Sequence, residues 1–409
     1  MAASIKPLIL VCCTPIYGHL MPIRAIGKEL IARGYEVTFV TESAYRKIIE
    51  EIRASLVPLS GYGDYTEAEI DERWPVRETL PKGPVQLAFD LEECFIKIHK
   101  ERHPSRPIIL LNEGIFYGSL PEMAGAPGLC PTAAISLGIV PLTQSSIDCL
   151  PFGLSLPPDS SPEGRERNKA MNKGIQEQLF AKAQATFLEI METLGARREG
   201  LHDAPPSIIF SGGLPKGHRD AFSDPPAWWD ETITNKSKKA VLVSQGSLAV
   251  NFSDLIVPTM IGLQDREDII VVVALGKKGA TVPEGTLVPA NARVGSFVPF
   301  DDVLPHWAVF VTNGGYGAFQ HGVGNVVRLV VGGTTEDKAE ITARVEWVGI
   351  AVNLKTSTPT PEAVLAAVDE VISGPKYKER SLVLEAEMAT FDSMENVVKN
   401  IEEVVAGEP

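Results

Sequence analysis

The sequence predicts an α/β protein built from two parallel-sheet domains, and three observations carry that expectation. The chain opens on an apolar run, Leu8 to Cys13, followed by an amphipathic stretch and a second β-branched run, Glu36 to Thr41. The same alternation restarts at Ala240 and continues to Leu354. Between the two lies His202 to Lys239, rich in Pro, Gly and Asp, the composition of a connection and not of a core.

In the first half, Ile23, Ile26, Leu30 and Ile31 recur at helical spacing, and Gly34 supplies the left-handed residue that ends a helix. A helix from about Met21 to Arg33 follows, with Thr14 to Leu20 as a loop. Strand, helix and strand in this order form a βαβ unit, whose strands are parallel. Further strands are predicted at Ser55 to Leu59, Ile108 to Asn112 and Ala133 to Ser136, each followed by Gly or Pro punctuation. The polar stretch Asn168 to Leu194 reads as helical. In the second half the predicted strands are Ala240 to Ser244, Ile269 to Ala274, Arg293 to Val298, Val309 to Thr312, Leu329 to Val331 and Ile350 to Leu354. A last helix runs from about Ala386 to Val405, after the second sheet is complete. The expected divisions are a domain over 1–215, a linker over 216–239, a domain over 240–385 and a C-terminal segment over 386–409.

Composition excludes several classes. With 409 residues, 44% of them hydrophobic, the chain is long enough for two domains with proper cores. Its longest apolar run is far shorter than the roughly 20 residues that cross a bilayer. That run passes into P-I-Y-G-H-L-M-P with no small-residue cleavage pattern, so no secretory leader is expected and the predicted compartment is the cytoplasm. Five cysteines, two of them adjacent and so on opposite faces of one strand, give a disulfide framework no support, and the environment reads as reducing. No C-x-x-C or H-x-x-x-H spacing points to zinc. A net charge of -14 opposes nucleic acid as a partner, whereas a small anion held at short range by helix-end donors is compatible with it.

The most informative stretch runs from Phe297 to Leu354. It reads F-V-P-F, then V-F-V-T-N-G-G-Y-G-A-F-Q-H, then L-V-V-G-G-T-T-E-D-K, then A-R-V-E-W-V-G-I-A-V-N-L. A glycine turn between a β-branched strand and a helix leaves the first helical N–H groups unpaired and aimed at one spot, where a phosphate binds. The turn from Thr312 to Gly317 has that form. A second constellation is His19 in G-H-L-M-P, directly after the first strand, at the carboxyl end where open parallel sheets place their chemistry. A helix N-terminus disfavours the imidazolium and keeps a nearby histidine neutral, the form a general base needs.

Together the strand, the N-G-G-Y-G turn, the E-D-K loop, the A-R-V-E-W helix and the G-H-x-x-P motif resemble family-1 glycosyltransferases of fungal or bacterial type. Those enzymes move a sugar from a UDP- or TDP-sugar onto small lipophilic acceptors. The resemblance covers nearly the whole chain and implies a GT-B fold, with two facing Rossmann-like domains, acceptor-binding first and nucleotide-sugar-binding second, and a C-terminal helix that returns to the first. It implies His19 as the base that takes the acceptor hydroxyl proton, partnered by Glu113 in I-I-L-L-N-E-G, or by Asn112 if the register slips by one. In S-Q-G-S, Gly246 would admit the backbone and Ser247 would bind a phosphate oxygen. Phe297, with Val298 after it, matches the position on which the base stacks. Asn313, Gly314, Gly315, Gly317 and Ala318 would face the diphosphate; His321 stands at the ribose position, where relatives often carry glutamate. Asp337 and Lys338 match the pair that holds sugar hydroxyls, with lysine replacing the usual glutamine. In N-V-V-R-L-V-V, Val326 and Arg328 replace a family glycine and proline, so a reshaped turn is expected there.

The resulting expectation is an inverting, metal-independent transfer of a hexose, glucose from UDP-glucose foremost, onto a hydroxyl of a lipophilic or phenolic acceptor. The UDP- or TDP-sugar is then a co-substrate and no cofactor is required. Partners are the nucleotide sugar and the acceptor, without nucleic acid or membrane insertion, in a monomer or weak dimer. Two alternatives are a catalytically silent homologue that binds a nucleotide sugar or hydrophobic ligand, favoured by the altered positions, and a nucleotide-sugar epimerase. The stretches Ser60 to Trp74 and Gln144 to Leu156 read as acceptor loops.

Overall fold

The structure is a computed structural model. It describes residues 6–60, 64, 104–116, 118, 127, 130–141, 146–179, 181, 185, 188–189, 192–193, 211–213, 225–247, 249, 251–277, 279–335 and 337–407. The chain forms two compact units: Met1–Leu142 with Gly174–Pro215 and Asp392–Pro409, and Thr143–Lys173 with Lys216–Phe391.

The first unit is a five-stranded parallel sheet in the order β3-β2-β1-β4-β5, from β1 (Leu8–Cys12), β2 (Glu36–Thr41), β3 (Ser55–Pro58), β4 (Ile108–Glu113) and β5 (Ala133–Leu137). β1 reads L-I-L-V-C and is buried throughout, as a strand covered on both faces must be. Helix α1 (Tyr17–Ala32) connects β1 to β2 and buries Leu20, Ile23, Ile26 and Leu30. It starts earlier than the sequence reading placed it. Pro22 resembles a first-turn proline, yet one further turn forms ahead of it, from an extended Ile16. His19 therefore sits in the first turn of the helix and not in a loop. A short α2 (Arg46–Glu50) precedes β3.

The second unit holds a six-stranded parallel sheet in the order β11-β10-β9-β6-β7-β8. Its strands are β6 (Lys239–Ser244), β7 (Ile269–Ala274), β8 (Ala292–Gly295), β9 (Val309–Thr312), β10 (Arg328–Val331) and β11 (Ala351–Asn353). The described helices of this unit are α3 (Pro162–Gly174), α4 (Trp229–Thr234), α5 (Ile256–Leu263), α6 (Phe300–Val303), α7 (Tyr316–Gly324), α8 (Lys338–Trp347), α9 (Pro361–Ser373) and α10 (Pro375–Ala389). One apolar cluster packs α5 and α9 under the sheet, and another packs β-strand residues against Ile341 and Val345 of α8.

Three differences from the sequence reading have physical causes. β8 stops at Gly295, so Phe297 lies beyond the strand. The last helix is two: α10 ends at Ala389, and α11 (Ser393–Ala406) begins anew where the Asp392 side chain accepts the Glu395 N–H at 2.9 Å. α11 buries Met394, Val397, Val398 and Ile401 in the first unit's core, so the chain end does return there. Finally, residues 143–173, expected with the first domain, belong to the second unit. There the Gly153 and Ser155 N–H groups donate to Glu340 Oε2 at 3.2 and 3.1 Å, which ties that loop to α8. Of the other proposed acceptor loop, only Ser60 and Asp64 fall within the described residues.

Candidate active site

The strand order of the first sheet puts its topological switch point between β1 and β4, since the chain runs outward from β1 to β3 and then crosses to the other side. A crevice opens at the carboxyl ends of such neighbouring strands. His19 follows β1 and Glu113 ends β4, so the two flank that point. His19 Nδ1 lies 3.1 Å from Glu113 Oε1, with Glu113 fully buried and the histidine side chain 19% exposed. The same oxygen accepts the Ile115 N–H at 3.1 Å. An acceptor oxygen here makes Nδ1 the protonated nitrogen and leaves Nε2 with its lone pair, the tautomer of a general base.

The register is resolved by alternation along β4. Asn112 and Glu113 point to opposite faces, and Asn112 Nδ2 donates to the Glu113 carbonyl at 3.0 Å. Glu113, not Asn112, meets the histidine. Glu113 Oε2 is buried without a partner among the described residues.

The second sheet has its own switch point, between β6 and β9, where Ser244 pairs with Thr312. The loops after those two strands carry the expected donor-site residues. Asn313 is held across the gap: its Nδ2 donates to the Gln245 carbonyl at 2.5 Å, and the residue is 9% exposed. Its amide therefore joins two strand ends, a structural task the sequence reading did not assign. Gln245, quoted in S-Q-G-S but passed over, is the other half of that clasp. Its Oε1 accepts the Leu255 and Ile256 N–H groups at 3.1 and 3.0 Å, and its Nε2 donates to the Asn251 carbonyl at 3.0 Å. The signal was a long polar side chain directly after an apolar strand, where it is buried.

Glycine shapes the same edge. Gly314 has φ +83°, and a Cβ there would stand 2.4 Å from Thr342 Cγ2. Its N–H makes a long bond of 3.4 Å to Thr312 Oγ1. Gly315 has φ -62° and caps α7 with no side-chain bond. The first backbone bond of that helix runs from Phe319 to Gly315, so the Tyr316, Gly317 and Ala318 amides precede it and face outward from the helix end. Of these amides at the helix end, those of Gly317 and Ala318 belong to expected site residues and that of Tyr316 does not. Gly276 and Gly333, which the sequence reading did not single out, permit close approach: added Cβ atoms would come within 2.0 Å of the Gly246 and Asn313 carbonyl oxygens. Gly246 itself has φ +76°, and Ser247 beside it is half-buried.

The remaining expected residues divide clearly. Phe297 is 43% exposed, an aromatic face open to stacking, whereas Val298 is in the core at 3%. Only the backbone of Val298 is left to meet a ligand. His321 Nδ1 sits 2.8 Å from Asp301 Oδ1, and its ring meets Phe300 edge-on, which fixes its orientation. Asp337 precedes α8 but does not cap it with its side chain, and burial lowers the Lys338 pKa. Val326 adopts φ +54°, the left-handed conformation of the reshaped turn, with its carbonyl accepting from Lys378 Nζ at 2.5 Å. No helix among the described residues is long and apolar enough to cross a membrane.

Comparison with known proteins agrees with this geometry. The C-terminal domain model of erythromycin biosynthesis protein CIII-like proteins matches residues 260–404. UDP-glucosyltransferase A1 of Starmerella bombicola is 34% identical over 99% of this chain and 94% of its own. UDP-glycosyltransferase 2 of Phaeomoniella chlamydospora is 35% identical over 99% and 97%. Among solved structures, the kitacinnamycin glycotransferase superposes with a TM-score of 0.70 at 22% identity, each chain covered to 99%. Glycosyltransferase VinC, solved with dTDP, does so with 0.65 at 16% identity over 97% of this chain and 98% of its own. Two parallel sheets with these switch points, and relatives of this identity along the whole chain, make the protein a member of the family-1 glycosyltransferases, with the GT-B fold.

Proposed function

We propose that this glycosyltransferase moves glucose from UDP-glucose onto a hydroxyl of a small lipophilic or phenolic acceptor, with inversion and without a metal ion. The observation that carries the reading is the His19 to Glu113 pair, with Nε2 left as the basic nitrogen. Nε2 takes the acceptor hydroxyl proton, and the oxygen attacks the anomeric carbon from the face opposite the leaving group. The C–O bond to the diphosphate breaks and its electron pair leaves with UDP, so the configuration inverts. Glu113 stabilises the imidazolium that forms. The outward amides of Tyr316, Gly317 and Ala318, with the Ser247 hydroxyl, meet the charge that grows on the diphosphate, a task other transferases give to a divalent cation. Exposed Phe297 offers a face for the base. The glucosyltransferase names of the fungal relatives support UDP-glucose as donor.

The test is product analysis with UDP-glucose and a panel of phenols, with and without EDTA. A β-glucoside formed equally in both supports the reading. Binding of UDP-glucose without turnover overturns it in favour of a silent homologue, and free UDP-sugar of altered configuration in favour of an epimerase.

A further inference from the structure

Residues 146–159 belong to the second unit and are fastened there at two places. At the base, Asn168 Nδ2 on α3 donates to the Ile147 and Asp159 carbonyls at 3.0 and 3.1 Å, and Asn172 Nδ2 donates to the Ser146 and Cys149 carbonyls at 3.1 Å each. At the tip, the Gly153 and Ser155 N–H groups converge on one oxygen, Glu340 Oε2, at 3.2 and 3.1 Å. Amides that converge in this way form a nest for an anion, and here the anion is a side chain of α8. The other carboxylate oxygen, Oε1, accepts Arg344 Nε at 3.0 Å, and the Arg344 guanidinium lies over the Phe152 ring, 5.8 Å from its centre. Glu340 is 5% exposed, so water competes little for the clasp. Within it Ser155 holds φ +58°, a conformation a serine keeps only where its surroundings impose it.

The clasp stands next to the proposed sugar pair. α8 turns Lys338 and Thr342 toward the glycine turn after β9: a Cβ on Gly314 would lie 3.7 Å from the Lys338 carbonyl oxygen and 2.4 Å from Thr342 Cγ2. Asp337 and Glu340, three residues apart, share the neighbouring face of the helix, a spacing that sets Cβ atoms about 5–6 Å apart. The 153–155 backbone, in hydrogen-bond contact with Glu340, therefore runs about one helical turn from Asp337. Leu154, between the two fastened amides, is 37% exposed. Fastening for packing alone would bury that side chain; here it is held in the open. Resting on the transferase reading above, we infer that Glu340 is a positioning residue for the donor sugar: it holds the 152–155 loop beside Asp337, where Leu154 covers the apolar C–H face of the hexose. The carboxylate touches no ligand; the loop does.

Calorimetric titration with UDP and with UDP-glucose separates the sugar's share of binding from the nucleotide's. Glu340→Ala releases the loop and is expected to weaken UDP-glucose about tenfold while UDP stays within about twofold, since the loop serves the sugar and not the base or the diphosphate. Glu340→Gln keeps a carbonyl oxygen for the two N–H groups and holds UDP-glucose within about threefold of wild type. Leu154→Gly shows the same selective loss with the clasp intact. Equal weakening of both ligands in Glu340→Ala, or weakening of neither, makes Glu340 a structural staple and overturns the inference while leaving the transferase intact. Failure of the transferase reading looks different: wild type then binds neither UDP nor UDP-glucose, and the inference falls with it. If Glu340→Ala does not fold, Glu340→Asp, shorter by the methylene needed to reach the loop, carries the same comparison.

Discussion

His19 and Glu113, 94 residues apart in sequence, meet through Nδ1 and Oε1 at the switch point of the first sheet. That contact puts the proton on Nδ1 and leaves Nε2 with its lone pair, the arrangement on which the roles proposed for the two residues rest.

His19→Ala removes the proposed base. Transfer to weakly acidic hydroxyls is expected to fall by a factor on the order of a hundred to ten thousand, with UDP affinity nearly unchanged because the residues proposed to hold the nucleotide lie in the second unit. Steady-state kinetics on an alcohol acceptor, beside calorimetric titration with UDP, checks both halves. Glu113→Gln is expected to cost less, since the amide still holds the ring but carries no charge for the imidazolium. Asn112→Ala is expected to leave kcat within a few-fold, because its side chain serves the β4 backbone. A larger effect at Asn112 than at Glu113 contradicts the dyad.

Much of this was legible in the sequence, and the reasons differ by element. Parallel strands buried on both faces read as unbroken apolar runs, so β1, β6, β7 and β9 were placed to within a residue or two. The dyad was legible because a glycine-flanked histidine follows one such run and an acid ends another. What escaped depends on contacts between distant loops. Nothing local says that the Asn313 amide is spent on the Gln245 carbonyl, or that residues 146–159 fasten to Glu340. Nor did the sequence distinguish Glu42 from any acid at a strand end, since what sets it apart is full burial without a hydrogen-bond partner among the described residues.

Glu42 also makes stability depend on pH. Its folded pKa of about 9 is raised above the ordinary glutamate value of about 4.3, so between those limits the native state keeps a proton that the unfolded chain releases. Stability from this group is fully present below pH of about 4.3 and is lost as pH rises toward 9, by up to ~1.4 kcal/mol per unit. Among the described residues, Asp64 and Cys13 are titratable groups that share its field. Urea melts from pH 5 to 8.5 should show that decline in wild type and a shallower one in Glu42→Gln. Equal slopes would mean that the acid is not held neutral.

Val326 is a β-branched residue at φ +54°, where a side chain costs about 1–2 kcal/mol relative to its usual conformations. The turn tolerates it because the Val326 and Val327 N–H groups bond back to the Val323 and Gly322 carbonyls at 3.0 and 2.9 Å. Val326→Gly is expected to stabilise the protein by about 1 kcal/mol, read as a higher melting temperature with activity unchanged. A lower melting temperature would show that the valine side chain contributes more through packing than its backbone costs.

The donor half-site is tested most sharply by two adjacent glycines with different duties. A Cβ at Gly314 would meet Thr342 Cγ2 at 2.4 Å and requires φ +83°, so Gly314→Ala is expected to destabilise the fold by several kcal/mol whether or not ligand is present. Gly315 has ordinary φ, and the nearest atom to an added Cβ is Asn313 Oδ1 at 3.9 Å, so Gly315→Leu has room in the unliganded protein. The leucine would instead project where a diphosphate approaches the Tyr316, Gly317 and Ala318 amides. Wild type should therefore gain thermal stability with millimolar UDP, as any ligand that binds only the native state confers, and EDTA should leave that gain in place. Gly315→Leu should melt near the wild-type temperature without UDP and show no gain with it. Retained protection in Gly315→Leu would move the diphosphate away from this helix end, and with it the roles proposed for Ser247 and the α7 amides.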